Sequence, residues 1–192
     1  MIIYIHGFNS SPASTKARQL GDRLQAMGLA AQYACPGLSH RPNAAIAQLE
    51  ALIRPFPAGQ VTLVGSSLGG YYATWLAEKY GCRAILVNPG INAHEGLRAY
   101  LGPQRNLYSG EPYELTEQHL EELRALFIAA PTRLERYYLM VTTGDEVIDY
   151  REAVAKFAGA RQLVVQGSDH GFADFEEHLD SVLQFAGVGL TV

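Results

Sequence analysis

A doubly wound α/β domain on a mainly parallel sheet of about six strands is the fold class this sequence predicts. Three observations predict it. Apolar, near-continuous runs recur along the chain and tend to close on glycine, amphipathic helical patterns alternate with them, and little chain lies between most of them. Strands that read as unbroken apolar runs are covered on both faces, which is the condition of a parallel sheet flanked by helices. Right-handed crossovers are expected throughout. The chain has 192 residues, 48% of them hydrophobic and 18% charged, enough for one sizeable core and a single domain over 1–192.

The elements follow in order. "IIYIHG" (2–7) is a short apolar strand closed by glycine, and 14–28 has helical spacing through Ala17, Leu20, Leu24 and Met27. "AAQYACPG" (30–37) reads as a second strand, and 43–56 as a helix with Ile46, Leu49 and Ile53 on one face. A strand at 61–66 runs into a helix from about Leu68 to Tyr80, followed by the strand "RAILVNPG" (83–90). "YYLMVTTG" (137–144), "YREAVAKFAG" (150–159), "RQLVVQGSDHG" (161–171) and "FEEHLDSVLQFAG" (175–187) complete the alternation. One interval breaks the rhythm. Residues 91–136 show no convincing strand but contain an amphipathic helix with Leu120, Leu123 and Phe127 in one stripe. A connection this long is usually functional, and we read it as a short helical cap inserted after the fourth strand.

Several function classes are disfavoured at once. A net charge of −4 offers no broad basic surface for nucleic acid. No apolar stretch approaches the roughly 18 residues of a membrane span, and the opening "MIIYIHG" has no signal-peptide pattern. Two cysteines far apart, Cys35 and Cys82, read as free thiols in a reducing compartment, so a cytoplasmic setting is expected. No metal-ligand spacing is present, and no cofactor is expected. "GSSLGG" lacks the spacing of a dinucleotide-binding turn and follows the third strand instead of the first.

The chemistry concentrates at strand ends. Gly65-Ser66-Ser67-Leu68-Gly69 fits G-x-S-x-G, with the required strand before it and helix after it. Small residues two before and two after allow a strained turn that presents the Ser67 hydroxyl at the N-terminus of the next helix, where free N–H groups favour negative charge. Ser66 is the weaker candidate. A serine hydroxyl is a poor nucleophile at neutral pH and needs an oriented base. Of six histidines, His170 in "VVQGSDHGF" lies just beyond the last strand, at the edge that carries Ser67. His119 and His178 sit in acidic helical patterns that read as solvated faces, and His40 and His94 lie in loops without a supporting motif. The orienting acid is expected between Ser67 and His170. Asp145 follows the glycine after "YYLMVTT", with Glu146 and Asp149 as neighbouring alternatives, Asp149 better placed to cap a helix. An oxyanion hole is expected from the N–H groups of Leu68 and of Phe8 in "HGFNSSP", with His6 and Gly7 shaping that loop.

Taken together, "YIHGFNSSP", "GSSLGGYYATWLAE", "VNPG", "TGDEVIDYREA" and "GSDHGF" resemble the α/β-hydrolase superfamily, and within it the compact YqiA/YcfP-like bacterial esterases, from residue 2 to about 185. The resemblance implies a minimal α/β-hydrolase fold and a serine esterase or thioesterase using Ser67, Asp145 and His170. It also implies that the antiparallel N-terminal strands of larger relatives are lacking. "NPGINAHEGL" departs from relatives that often carry a further proline there, which touches only the shape of the cap. The expected partner is a small acyl ester or thioester, including an acyl-CoA whose phosphates Arg98, Arg105 or Arg124 could meet. Tyr100, Tyr108, Tyr113, Leu123 and Phe127 are candidates for an apolar acyl pocket. A non-catalytic binding module on the same fold and an acyltransferase are the alternatives.

Overall fold

A computed structural model describes residues 1–57 and 59–189. Six strands form one parallel sheet: β1 (Ile2–Ile5), β2 (Tyr33–Ala34), β3 (Thr62–Ser66), β4 (Arg83–Val87), β7 (Tyr137–Thr142) and β8 (Arg161–Val165), in the order β2-β1-β3-β4-β7-β8. Between β4 and β7 lies a separate antiparallel hairpin, β5 (Gly102–Arg105) with β6 (Pro112–Leu115). Among the described residues seven α-helices accompany them: α1 (Thr15–Ala26), α2 (Pro42–Ile53), α3 (Leu68–Tyr80), α4 (Ala93–Gly96), α5 (Glu117–Ala125), α6 (Tyr150–Lys156) and α7 (Leu179–Phe185).

The alternation of side chains along each strand separates two cores. Ile3, Ile5, Leu63, Leu86, Leu139 and Val141 pack on one face against α2, α3, α5 and α6. Ile2, Tyr4, Val64, Ile85, Tyr138 and Met140 pack on the other against α1 and α7. Every residue of β1, β3 and β7 is buried, so their unbroken apolar character has a direct cause. The edges are weaker: β8 is only half-buried and β2 has two residues.

Two expectations are corrected. The strand expected over 30–37 shrinks to Tyr33–Ala34, because Ala30–Gln32 turn as a 3-10 helix and Pro36 has no N–H for a ladder. The interval expected to lack strands contains the β5–β6 hairpin. Its strands carry Pro103 and Pro112, alternate between exposed and half-buried residues up to the buried Leu115, and pair only with each other. Such strands give no apolar run to read, and proline is tolerated on them because each is an edge. The α5 stripe meets the sheet's helical layer, with Leu120 and Leu123 in the main core.

The order of strands locates the site. From β1 the chain moves outward to β2, then returns across β1 to β3 on the other side. That reversal opens a crevice at the carboxyl ends of β1 and β3, the ligand position of open α/β sheets.

Candidate active site

Ser67 stands at this crevice, at the end of β3 and the N-cap of α3, with φ 54° and ψ −119°. A non-glycine residue is strained there, so surrounding contacts must hold it. They do: Ser67 N–H donates to the Val87 carbonyl at 3.0 Å, and its own carbonyl accepts from Gly70 at 2.9 Å and Gly90 at 3.0 Å. A side chain at Gly65 would collide with the backbone of Gly69, and one at Gly70 would stand 2.6 Å from Pro89 Cβ. The glycines around Ser67 are therefore a packing requirement of the turn.

His170 Nε2 lies 3.1 Å from Ser67 Oγ, and His170 Nδ1 lies 2.8 Å from Asp145 Oδ2. A carboxylate only accepts, so this arrangement assigns the proton to Nδ1 and leaves Nε2 facing the hydroxyl as an acceptor. Asp145 has a side chain only 1% accessible. Burial pushes its pKa up, but hydrogen bonds from His170 and from the Ile148 and Val147 N–H groups outweigh this and hold it below the ordinary carboxylate value. The alternatives are occupied elsewhere. Glu146 accepts the His170 backbone N–H at 3.0 Å, and Asp149 caps α6 and pairs with Arg151. Ser66 is buried beneath the turn.

Three residues not nominated as site residues hold the segment that carries His170. Asn88, buried and with φ 41°, donates from Nδ2 to the carbonyls of Asp169 and His170, each at 3.1 Å. Thr142 Oγ1 donates to the same Asp169 carbonyl at 2.9 Å. Lys16 Nζ donates to the Gly171 carbonyl, and burial lowers its pKa to about 8 against the opposing pull of Asp169 and Asp145. Only "VNPG" carried a signal for Asn88; Lys16 and Thr142 sit in ordinary helix and strand patterns.

Among the described residues, neither Phe8 N–H nor Leu68 N–H is donated to a protein acceptor. Both residues line a cleft of about 600 Å³ that includes Ser67 and is walled by Ile91, Ala93, Leu97, Tyr100, Val147 and Ile148. They also line a smaller, more polar hollow of about 300 Å³ with Asn9, His40 and Tyr113. Of the five proposed pocket residues only Tyr100 reaches the cleft beside Ser67. Leu123 is core, Phe127 meets the His94 ring edge-on, and Tyr108 is exposed. Arg98 pairs with Glu117 and Arg105 bonds the Gly110 carbonyl, and none of Arg98, Arg105 and Arg124 lines either space.

The remaining histidines have structural partners. His6 Nε2 accepts from Leu38 N–H at 3.1 Å while Nδ1 faces the Gly7 carbonyl. His119 is 3% exposed and not on a solvated face, because its Nδ1 accepts the Thr116 N–H at the start of α5. His94 faces the Tyr71 hydroxyl, His40 faces His119 and stacks on Tyr113, and His178 packs edge-on to Phe172.

The model of the uncharacterised protein family UPF0227 matches residues 1–187. Solved structures similar to the chain include mouse alpha/beta hydrolase domain-containing protein 10, at 15% identity and a TM-score of 0.74, covering 97% of this chain and 89% of that one. Est1E from Butyrivibrio proteoclasticus is similar at 15% identity and a TM-score of 0.67, over 96% and 85%. The esterase domain of a Rhodothermus marinus protein is similar at 20% identity and a TM-score of 0.64, over 98% and 87%. At these identities the shared property is the α/β-hydrolase fold.

Proposed function

The chain belongs to the UPF0227 family, and we propose that it is a serine hydrolase cleaving carboxylic esters or thioesters through an acyl-enzyme. The observation that carries this reading is the unbroken hydrogen-bonded line from Ser67 Oγ through His170 to Asp145, beside two free backbone N–H groups. His170 Nε2 takes the Ser67 proton as Oγ attacks the carbonyl, and Asp145 holds the imidazole and stabilises its cation. Phe8 and Leu68 N–H receive the developing oxyanion, each such donor being worth about 10²–10³ in rate. His170 then passes the proton to the leaving group, and a water activated by the same imidazole releases the acid.

The apolar walls of the larger cleft support an acyl chain as its occupant, with the stretch from Ile91 to Tyr100 serving as the working part of the cap. The free state of Cys35 and Cys82 supports a cytoplasmic setting. No helix of the described residues is long and apolar enough to cross a membrane.

Treatment with a fluorophosphonate, followed by intact mass, tests the assignment. One adduct is expected on the wild type and none on Ser67→Ala. A folded wild type that takes no adduct would overturn it.

A further inference from the structure

The loop that carries Phe8 is weakly held by its own bonds. Gly7 to Ser10 form a turn whose closing bond, Ser10 N–H to the Gly7 carbonyl, is 3.3 Å, at the long end of the range. The same loop places Asn9 at φ 53°, in the left-handed region. What fixes it comes from 95 or more residues further along the chain, in the β5–β6 hairpin and its turn.

Both ends of the Asn9 amide are used there. Nδ2 donates to Gln104 Oε1 at 3.1 Å, and Oδ1 accepts from the Tyr113 hydroxyl at 2.6 Å. The Asn9 carbonyl accepts from Leu107 N–H at 2.9 Å, and the Ser10 carbonyl accepts from Asn106 Nδ2 at 2.9 Å. Four bonds from one hairpin therefore fix the Asn9 side chain and the Asn9 and Ser10 carbonyls, the stretch that immediately follows Phe8. The hairpin is otherwise a half-exposed ribbon contributing little to the core, so packing does not account for these contacts.

We infer that the β5–β6 hairpin is a strap that holds the Phe8 N–H in register with the Leu68 N–H, with Asn9, Gln104 and Tyr113 as positioning residues for the oxyanion hole. The inference rests on the hydrolase reading above. An oxyanion donor must meet an oxygen that reaches its position only in the tetrahedral state, so a displaced loop weakens the transition state more than the bound ester.

The test compares wild type with Tyr113→Phe/Gln104→Met, and with Tyr113→Phe alone, which keeps the ring that stacks on His40 at 4.5 Å. Turnover of p-nitrophenyl butyrate and inhibition by butylboronic acid, whose tetrahedral serine adduct places an oxygen in the hole, are measured on each. We expect kcat to fall about 10- to 100-fold in the double variant, as for a small misplacement of a catalytic group, and less in the single variant. KM should stay within about twofold, and the boronate should weaken by the same factor as kcat. Unchanged kcat in variants still labelled at Ser67, or a rise in KM alone, would overturn the strap while leaving the hydrolase reading intact. Full activity in Ser67→Ala would instead remove the reading beneath it, and the strap with it.

Discussion

The carbonyl of Ile5 occupies the place where a side chain on Gly69 would begin. Any Cβ there would overlap the Ile5 oxygen and lie 2.9 Å from the His6 carbonyl. The end of β1 and the first turn of α3 are thereby in backbone contact, and the loop bearing Phe8 is set against the turn bearing Ser67. Gly69→Ala must separate them. It should destabilise the protein by about 3 kcal/mol or more, at the upper end of overpacking costs. Gly96→Ala, in open space within α4 and at helical φ, should instead be neutral or stabilising by up to about 1 kcal/mol. Urea midpoints of the two variants check the contrast.

Ser67→Gly separates stability from activity. The strained backbone at φ 54° and ψ −119° costs about 1–3 kcal/mol for a residue with a side chain, and glycine escapes most of it. After the greater chain entropy of glycine is subtracted, we expect a gain of about 1 kcal/mol in stability together with loss of turnover. A variant no more stable than wild type in thermal unfolding would count against strain at this turn.

Asp145→Asn should be nearly isosteric and nearly inactive. Oδ1 must continue to accept from Val147 and Ile148, so the amide nitrogen is forced to the Oδ2 position, facing His170 Nδ1. Two donors then oppose each other and the imidazole adopts the wrong tautomer. A fall of about 10³–10⁴ in kcat with little change in KM is expected. Glu146→Gln keeps an oxygen for the His170 N–H and should cost far less.

Stability should fall on acidification before any carboxylate titrates. Burial holds His6, His94 and His119 below the ordinary imidazole value, with the nearby His40 adding to the effect on His119. The unfolded chain therefore binds protons on these groups more readily than the native state. Their contribution is complete above about pH 6.5 and is lost as pH drops through their lower native values. Urea midpoints measured from pH 8 to pH 5 should fall shallowly at first, as Lys16 with its native value of about 8 takes up its proton, and more steeply below about 6.5; replacing His119 by Gln should reduce the slope of the steeper part. A midpoint independent of pH across that interval would contradict the assignment of neutral, buried rings.

Leu97→Trp narrows the apolar cleft without touching Ser67, His170 or Asp145. Long p-nitrophenyl esters should lose about 10-fold or more in kcat/KM, the order expected from one or two displaced methylenes, while the acetate ester is little affected. Equal losses on both would place the acyl chain elsewhere.

Much of this architecture is written in local pattern. The buried strands β1, β3, β4 and β7 announce themselves because both faces are covered, and α3 because a helical stripe begins where β3 ends. Ser67 follows β3 directly and Asp145 and His170 lie in the loops that leave β7 and β8, and parallel strands deliver their ends to one edge, so the sequence alone could nominate them. It could also nominate Asp149 as a helix cap, since that interaction lies within three residues.

What the sequence could not express is contact between residues far apart in the chain. The distance of 3.1 Å from Ser67 to His170 spans 103 residues, and the grip of Asn88 on the Asp169 and His170 carbonyls spans 81 and 82. His119 looked solvated because its neighbours are acidic, yet its ring closes the start of α5 and turns inward. The hairpin that holds Asn9 was unreadable for the same reason: its strands pair with each other, are half-exposed, and acquire their meaning from the loop they meet. Local periodicity records which face of an element is buried. Only the closed fold decides which distant group lies against it, because hydrogen-bond geometry is set by the packing of whole elements and not by the spacing of residues along one of them.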